Sequence, residues 1–125
     1  MTDDNRPAHT PGSPVTFINV FEVAGGDLDA FVAQWERRAA IMSTKPGFLD
    51  SRLHRARSSA NRFQFVNVAH WESQEAWESA TADVGFRQRT QAAHDDTRTP
   101  ITSNPGLYDV ASEFSTVRAE PGRPG

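Results

Sequence analysis

The stretch from Phe65 to Trp77 constrains the fold more than any other, because it leads from an alternating strand almost directly into a capped helix. Side chains of an extended segment alternate between two faces. One face here holds Phe63, Phe65, Asn67, Ala69 and Trp71, whereas Gln64, Val66, Val68 and His70 lie on the other. An amide buried without partners costs on the order of 1–3 kcal/mol. Asn67 is therefore expected either to bond to the backbone or to line a pocket in which a ligand satisfies it.

The composition limits the classes of function that this chain can have. At 125 residues it is long enough for one domain with a real core. A net charge of −3 with scattered arginines disfavours nucleic acid as a partner. Without cysteine, disulfides, thiolate zinc sites and cysteine nucleophiles are excluded. No apolar run approaches a membrane span, and the N-terminus lacks the apolar core of a signal peptide, so we expect a cytoplasmic protein that does not bind a membrane.

Periodicity and turn signals predict six main elements between two tails. Asp27 is a predicted helix cap, and so is Ser73, which has Glu75 in the first turn behind it. The predicted elements are a strand at 15–23, a helix from 28 to about Lys45-Pro46-Gly47, a strand at 48–57, an aromatic strand at 63–71, a helix from 74 that is interrupted near 83–85 and continues to about 94, and a strand at 107–114. We expect disordered tails at 1–14 and 118–125, with the domain at 15–117.

This βαββαβ order predicts an α+β, ferredoxin-like domain with an antiparallel sheet. If helices cover only one face of the sheet, the other face is expected to carry Phe or Trp from at least two strands. A second copy of the same sheet would cover that face most simply. The pattern therefore predicts a homodimer, with a ligand cavity left between sheet and helices in each subunit.

Three local motifs resemble those of the antibiotic biosynthesis monooxygenases, which are small dimeric α+β barrel proteins. The motifs are PGFL at Pro46 to Leu49, the histidine that follows at His54, and NVAHWESQEAW from Asn67 to Trp77. The quinone-forming, aromatic-polyketide members resemble this chain in the spacing of His54, Asn67, Trp71 and Trp77. Trp77 stands where that subfamily usually has a tyrosine. The helical arginine of some members corresponds to Arg87 or Arg89.

The resemblance implies a monooxygenase of antibiotic biosynthesis that oxidises a phenol or anthrone to a quinone with molecular oxygen and without flavin or metal. His54 would be the proton acceptor, because histidine ordinarily titrates at about 6.5. Asn67 and the Trp71 indole would donate hydrogen bonds to the developing oxyanion or peroxide. Four further residues would contact the small aromatic substrate: Asn19, Phe65, Trp77 and Arg87. A solvent-facing position for His54 is the alternative to its catalytic role.

Two other functions stay open. The haem-degrading enzymes of the same superfamily resemble this chain in having an asparagine on the first strand, here Asn19, but Ala80 falls where they need a tryptophan and His94 comes about one turn late. The protein could also bind and orient a polyketide without oxidising it, as a cyclase-like protein would. His94 is expected in a solvated position, and Glu36-Arg37-Arg38 is expected to form a solvated helix face.

Overall fold

The computed structural model describes residues 12–96 and 100–116, and the predicted tails fall largely outside these ranges. Seven elements follow one another along the chain. They are β1 (Val15–Val23), α1 (Leu28–Met42), β2 (Phe48–Arg55), β3 (Phe65–Trp71), α2 (Gln74–Thr81), α3 (Val84–Asp95) and β4 (Ile101–Tyr108). The ferredoxin-like fold class is confirmed, with its second helix divided into α2 and α3.

The four strands form one antiparallel sheet in the order β2-β3-β1-β4. The last strand begins six residues before its predicted start and ends at Tyr108, so the prediction of a strand at 107–114 is wrong. Proline ordinarily indicates a loop, but Pro105 lies in β4, which is an edge strand, where a missing N–H leaves no interior partner unpaired. The segment 109–116 has no regular structure, and Phe114 is 97% exposed.

Side-chain caps fix where the helices begin. The Asp27 carboxylate accepts from the backbone N–H groups of Asp29 and Ala30 at 3.1 Å each. The Ser73 hydroxyl accepts from the N–H of Ala76 at 3.1 Å, as predicted. Asp83 caps α3 by accepting from the N–H of Phe86 at 2.8 Å.

Gly47 sets the approach of α2 to the turn between α1 and β2. Its φ of +88° is unfavourable for residues with a side chain. A Cβ atom at this position would lie 2.5 Å from the Cβ of Ala76, so a larger residue would displace α2. The glycine of the PGFL motif is therefore required by packing, and α2 lies against the beginning of β2.

The helices pack on one face of the sheet, here called the inner face. One buried cluster joins Val15, Met42, Ala69, Trp71 and Ala80, and a second joins Phe21, Val23, Phe31 and Phe65. The space between these two clusters is the cavity described below. Every Phe and Trp of the described strands lies on the inner face, because the aromatic positions share one parity along each strand.

The opposite, outer face is aliphatic at its centre rather than aromatic. Ile18 pairs with Val68, and Val20 with Val66, across β1 and β3. The expectation of Phe or Trp on this face is therefore wrong, although the apolar centre that motivated a homodimer is present. Among the described helices, none is long and apolar enough to cross a membrane.

Candidate active site

A cavity of about 300 Å³ lies between the inner face of the sheet and the three helices. Its floor comes from all four strands, and its walls come from α1, α2 and α3. Most of its lining is apolar, which is typical of a small-molecule site. The polar or titratable side chains that line it are Asn19, Arg38, Ser51, Asn67, Thr81, Thr90, His94 and Ser103.

Asn67 lies at the centre of the floor, and its side chain is held in one orientation. The residue is 9% exposed, and its Oδ1 accepts a hydrogen bond from the Ser51 hydroxyl at 2.8 Å. No described residue accepts from the Asn67 Nδ2. Because Ser51 occupies the oxygen, the amide N–H groups are the part left for a ligand.

Asn19 lies directly across from Asn67 in the register of β1 and β3. Side chains opposite each other in this way have Cβ atoms about 5 Å apart. The Asn19 Oδ1 accepts from the backbone N–H of Asn104 at 2.8 Å, which again leaves the amide N–H groups without a described acceptor. Two oriented amides therefore share one cavity floor.

Aromatic side chains form much of the cavity wall. Trp71 is 2% exposed and packs edge-on against Phe48, with ring centroids 5.3 Å apart. Trp77 lies 5.7 Å from the ring of Phe17 in a tilted arrangement. Trp35 closes the α1 side. Neither Trp71 nor Trp77 has a described acceptor for its indole N–H, so both can bind a flat ligand and donate to it.

The structure does not bring His54 to this cavity. Counting alternate residues from the inward-facing Phe48 places His54 on the inner face, but a β-bulge between Phe48 and Asp50 adds one residue to β2. Because Leu49 is the extra residue, each later side chain of β2 points to the face opposite the one that simple alternation predicts. Ser51 consequently faces the cavity, and His54 lies exposed on the outer face with its Nδ1 3.2 Å from the Val66 carbonyl oxygen.

Two predicted substrate contacts also lie away from the cavity. Phe65 is 0% exposed and stacks on Phe31 with centroids 4.5 Å apart, so it is part of the core beside the cavity. Arg87 and the alternative Arg89 are exposed on α3 and do not line it. Both arginines lie on the solvent side of α3, whereas Phe86, Thr90 and Ala93 lie on its inner side.

Arg38 and His94 line the cavity, so the prediction of solvated positions for both is wrong in this respect. Arg38 follows Trp35 by three residues and precedes Met42 by four, so it shares their side of α1. Burial lowers the pKa of the Arg38 guanidinium. His94 lies at the exposed end of α3, with its Nε2 3.4 Å from the Ser103 hydroxyl. The helical spacing to Trp35 would have identified Arg38 from the sequence.

Within residues 12–96 and 100–116, no group of three or more His, Asp or Glu side chains is placed to hold a metal ion. The cavity thus combines apolar, aromatic walls with two amides, indole N–H groups, one guanidinium and one imidazole. Such a set can bind a flat aromatic molecule, donate hydrogen bonds to an oxygen anion and move a proton.

Comparisons with known proteins agree with this architecture. The profile of a family described as antibiotic biosynthesis monooxygenase matches residues 14–93. A deoxynogalonate monooxygenase from Streptomyces nogalater is 36% identical over 94 residues, which are 75% of this chain and 74% of that protein. SnoaB, a cofactor-independent oxygenase from Streptomyces nogalater, is 30% identical in its crystal structure, with a TM-score of 0.70 over 83% of this chain and 99% of that chain.

A variant of MhuD with two manganese protoporphyrin IX molecules bound per active site is also similar in structure. It is 24% identical, with a TM-score of 0.56 over 82% of this chain and 99% of that chain. At this level of identity the likeness concerns the fold alone.

Proposed function

The chain belongs to the antibiotic biosynthesis monooxygenase family, and on that premise we propose that it is a cofactor-independent oxygenase that converts a phenol or anthrone of aromatic-polyketide type to a quinone with molecular oxygen. The observation that supports this most is the buried Asn67 amide. Its oxygen is occupied by Ser51, while its N–H groups are left for an oxygen atom of the substrate.

The reaction needs no electron carrier, because the substrate itself supplies all four electrons that reduce O₂. A base removes one proton from the ring CH₂ of an anthrone, and the resulting anion passes one electron to O₂. The carbon radical and superoxide then combine to form a C–O bond, and the outer oxygen takes up a proton. Loss of the second ring proton and of hydroxide breaks the O–O bond and leaves the quinone carbonyl. One anthrone and one O₂ therefore give one quinone and one water.

The floor of the cavity is suited to stabilising the oxygen anions of this sequence. Asn67 and Asn19 present fixed amide donors, and the Trp71 indole lies on the same strand face as Asn67. Donors that are already oriented in a water-poor cavity stabilise a developing charge more strongly than water does. The aromatic walls, including Trp77, would hold the flat ring system against this floor.

His94 is the base that the cavity itself offers. It is the only histidine among the described residues that line the cavity. Histidine is also the side chain whose charge ordinarily changes nearest neutral pH. His54, to which the resemblance assigns this role, lies on the outer face of the same chain, and its catalytic role stays a prediction that can be tested against His94.

Oxygen uptake with a simple anthrone tests this proposal. Purified protein treated with EDTA should consume O₂ above the buffer rate and form one anthraquinone per O₂, as followed by an oxygen electrode and quinone absorbance. Binding of the anthrone without oxygen uptake would contradict the proposal and favour the binder or cyclase-like alternative. A Soret band in the purified protein would instead favour haem binding with His94 as ligand.

The outer face supports a homodimer as part of the same proposal. Ile18, Val20, Val66 and Val68 form an apolar centre that the described helices leave uncovered, since all three pack on the inner face. A second copy of this sheet matches it in shape and chemistry. Light scattering at micromolar concentration should give twice the mass of one chain.

A further inference from the structure

Arg38 is the only permanently charged side chain among the described residues that line the cavity. Its place on α1 is three residues after Trp35 and four before Met42, both of which also line the cavity. The neighbouring Arg37 is exposed on the other side of the helix. The geometry of α1 therefore directs one arginine of this pair toward the cavity and the other toward solvent.

No described carboxylate or other acceptor satisfies the Arg38 guanidinium. Other arginines do have acidic partners: Arg55 contacts Asp29 at 3.1 Å, and Arg62 contacts Glu22 at 2.8 Å. Arg38 has neither an ion pair nor a hydrogen bond within the described ranges. Burial alone accounts for its lowered pKa, and no neighbouring charge counteracts that effect.

A partly buried cation without a partner destabilises the free protein, because water is withdrawn from the charge without replacement. A ligand that carries an anion would supply the missing partner. A guanidinium offers parallel N–H groups whose spacing matches the two oxygens of a carboxylate. The floor amides lie on the sheet and Arg38 lies on the facing helix, so one ligand can meet both with different parts.

We propose that Arg38 binds a carboxylate carried by the aromatic substrate, which makes carboxylated polycyclic phenols or anthrones the preferred substrates of this cavity. This inference rests on the proposed function in that it takes the bound ligand to be a substrate. The binding that it describes does not depend on turnover. Arg38 selects and orients the acid group, while the sheet floor acts on the oxygen atoms at the reacting ring.

A matched pair of unreactive ligands tests the inference directly. Anthraquinone-2-carboxylate and anthraquinone-2-carboxamide have nearly the same shape and differ in charge. All three tryptophans of the chain line the cavity, so quenching of intrinsic fluorescence reports binding of either ligand. The wild-type protein should bind the carboxylate about tenfold or more tightly than the amide, as expected for a hydrogen-bonded charge pair.

Arg38→Gln should remove this preference by weakening carboxylate binding about tenfold while amide binding stays within twofold. Arg37→Gln removes one positive charge from the outside of the same helix and should leave both affinities unchanged. Arg38→Met is a second variant, and thermal melting should show that both Arg38 variants fold at least as stably as wild type, because each removes an unpaired buried charge. Equal affinities in wild type, or equal losses in Arg37→Gln and Arg38→Gln, would overturn the inference.

Oxygen uptake separates this inference from the proposed function. If a neutral anthrone is oxidised and the wild-type protein shows no preference for the carboxylate ligand, the carboxylate inference is wrong and the oxygenase proposal stands. If the carboxylate preference depends on Arg38 and no anthrone of either charge is oxidised, the binding site stands and the oxygenase proposal is wrong.

Discussion

Replacing Ser51 with alanine should impair both stability and turnover through its effect on Asn67. The Ser51 hydroxyl donates to the Asn67 Oδ1 at 2.8 Å, and Asn67 is 9% exposed. Ser51→Ala leaves that carbonyl oxygen without its partner, which should cost about 1–3 kcal/mol and lower the Tm by roughly 4–10 °C. The amide is then free to turn its oxygen toward the reacting atoms.

The effect on turnover should be smaller than that of removing the amide itself. Asn67→Ala should lower kcat by ~10²-fold, as expected for loss of one oriented donor, while the fold survives. Ser51→Ala keeps the amide but not its orientation. We therefore expect kcat to fall about tenfold, which is between the value of wild type and that of Asn67→Ala. Steady-state oxygen uptake with an anthrone measures both effects, and Ser79→Ala on the exposed side of α2 serves as the hydroxyl-deletion control.

The double variant shows whether Ser51 acts through Asn67. Once Asn67 is alanine, no amide remains to be oriented, so Ser51→Ala should cause little further loss of kcat. Independent, multiplicative losses would refute the argument that Ser51 positions the amide. Unchanged turnover in Asn67→Ala would show that the amide is structural and that the candidate site is wrong.

Three further predictions follow from other parts of the structure. His94→Ala should lower kcat by ~10²-fold, with partial recovery as the buffer pH rises, whereas His54→Ala should change kcat less than about twofold. If kcat–pH profiles instead show the larger loss in His54→Ala, His54 is the base. Val68→Glu on the outer face should yield monomers in light scattering, and a persisting dimer would exclude this face as the interface. The Lys45 ammonium, 2.6 Å from Asp83, holds the pKa of that carboxyl below its usual value. The stability that this ion pair contributes is therefore present above about pH 4 and is lost in stronger acid. The free energy of unfolding, measured by urea titration, should thus fall less between about pH 5 and pH 2 in Lys45→Met than in wild type. Parallel plots of this free energy against pH for the two proteins would refute the coupling.

Local sequence signals were sufficient for most of the fold. Asp27 and Ser73 cap helices where their spacing predicted, and strict alternation placed Asn67 on the inner face of β3. The last strand could not be located in the same way, because an edge strand tolerates polar residues and proline. The side chains of β4 therefore resemble those of a loop, and Pro105 lies inside it.

The candidate site was predictable only in part, because two of its features depend on packing. The bulge at Leu49 exchanges the faces on which Ser51 and His54 lie, and no residue type in that stretch predicts a bulge. Asn19 was predicted as a substrate contact, but its position directly opposite Asn67 follows from the pairing register of β1 and β3, which the sequence of one strand does not contain. Arg38 was predicted to be solvated because it lies in a charged triplet. Its spacing from Trp35, however, puts it on the apolar side of α1.

Incorporation of oxygen from ¹⁸O₂ tests the central claim most directly. A single turnover of an anthrone in EDTA-treated wild-type protein should yield quinone that carries one ¹⁸O atom, with the other atom of O₂ released as water. Asn67→Ala should form the same product at ~10²-fold lower rate. Unlabelled quinone, or equal rates of labelled product with wild-type and Asn67→Ala protein, would contradict a cofactor-independent oxygenase whose Asn67 amide stabilises the oxygen intermediate.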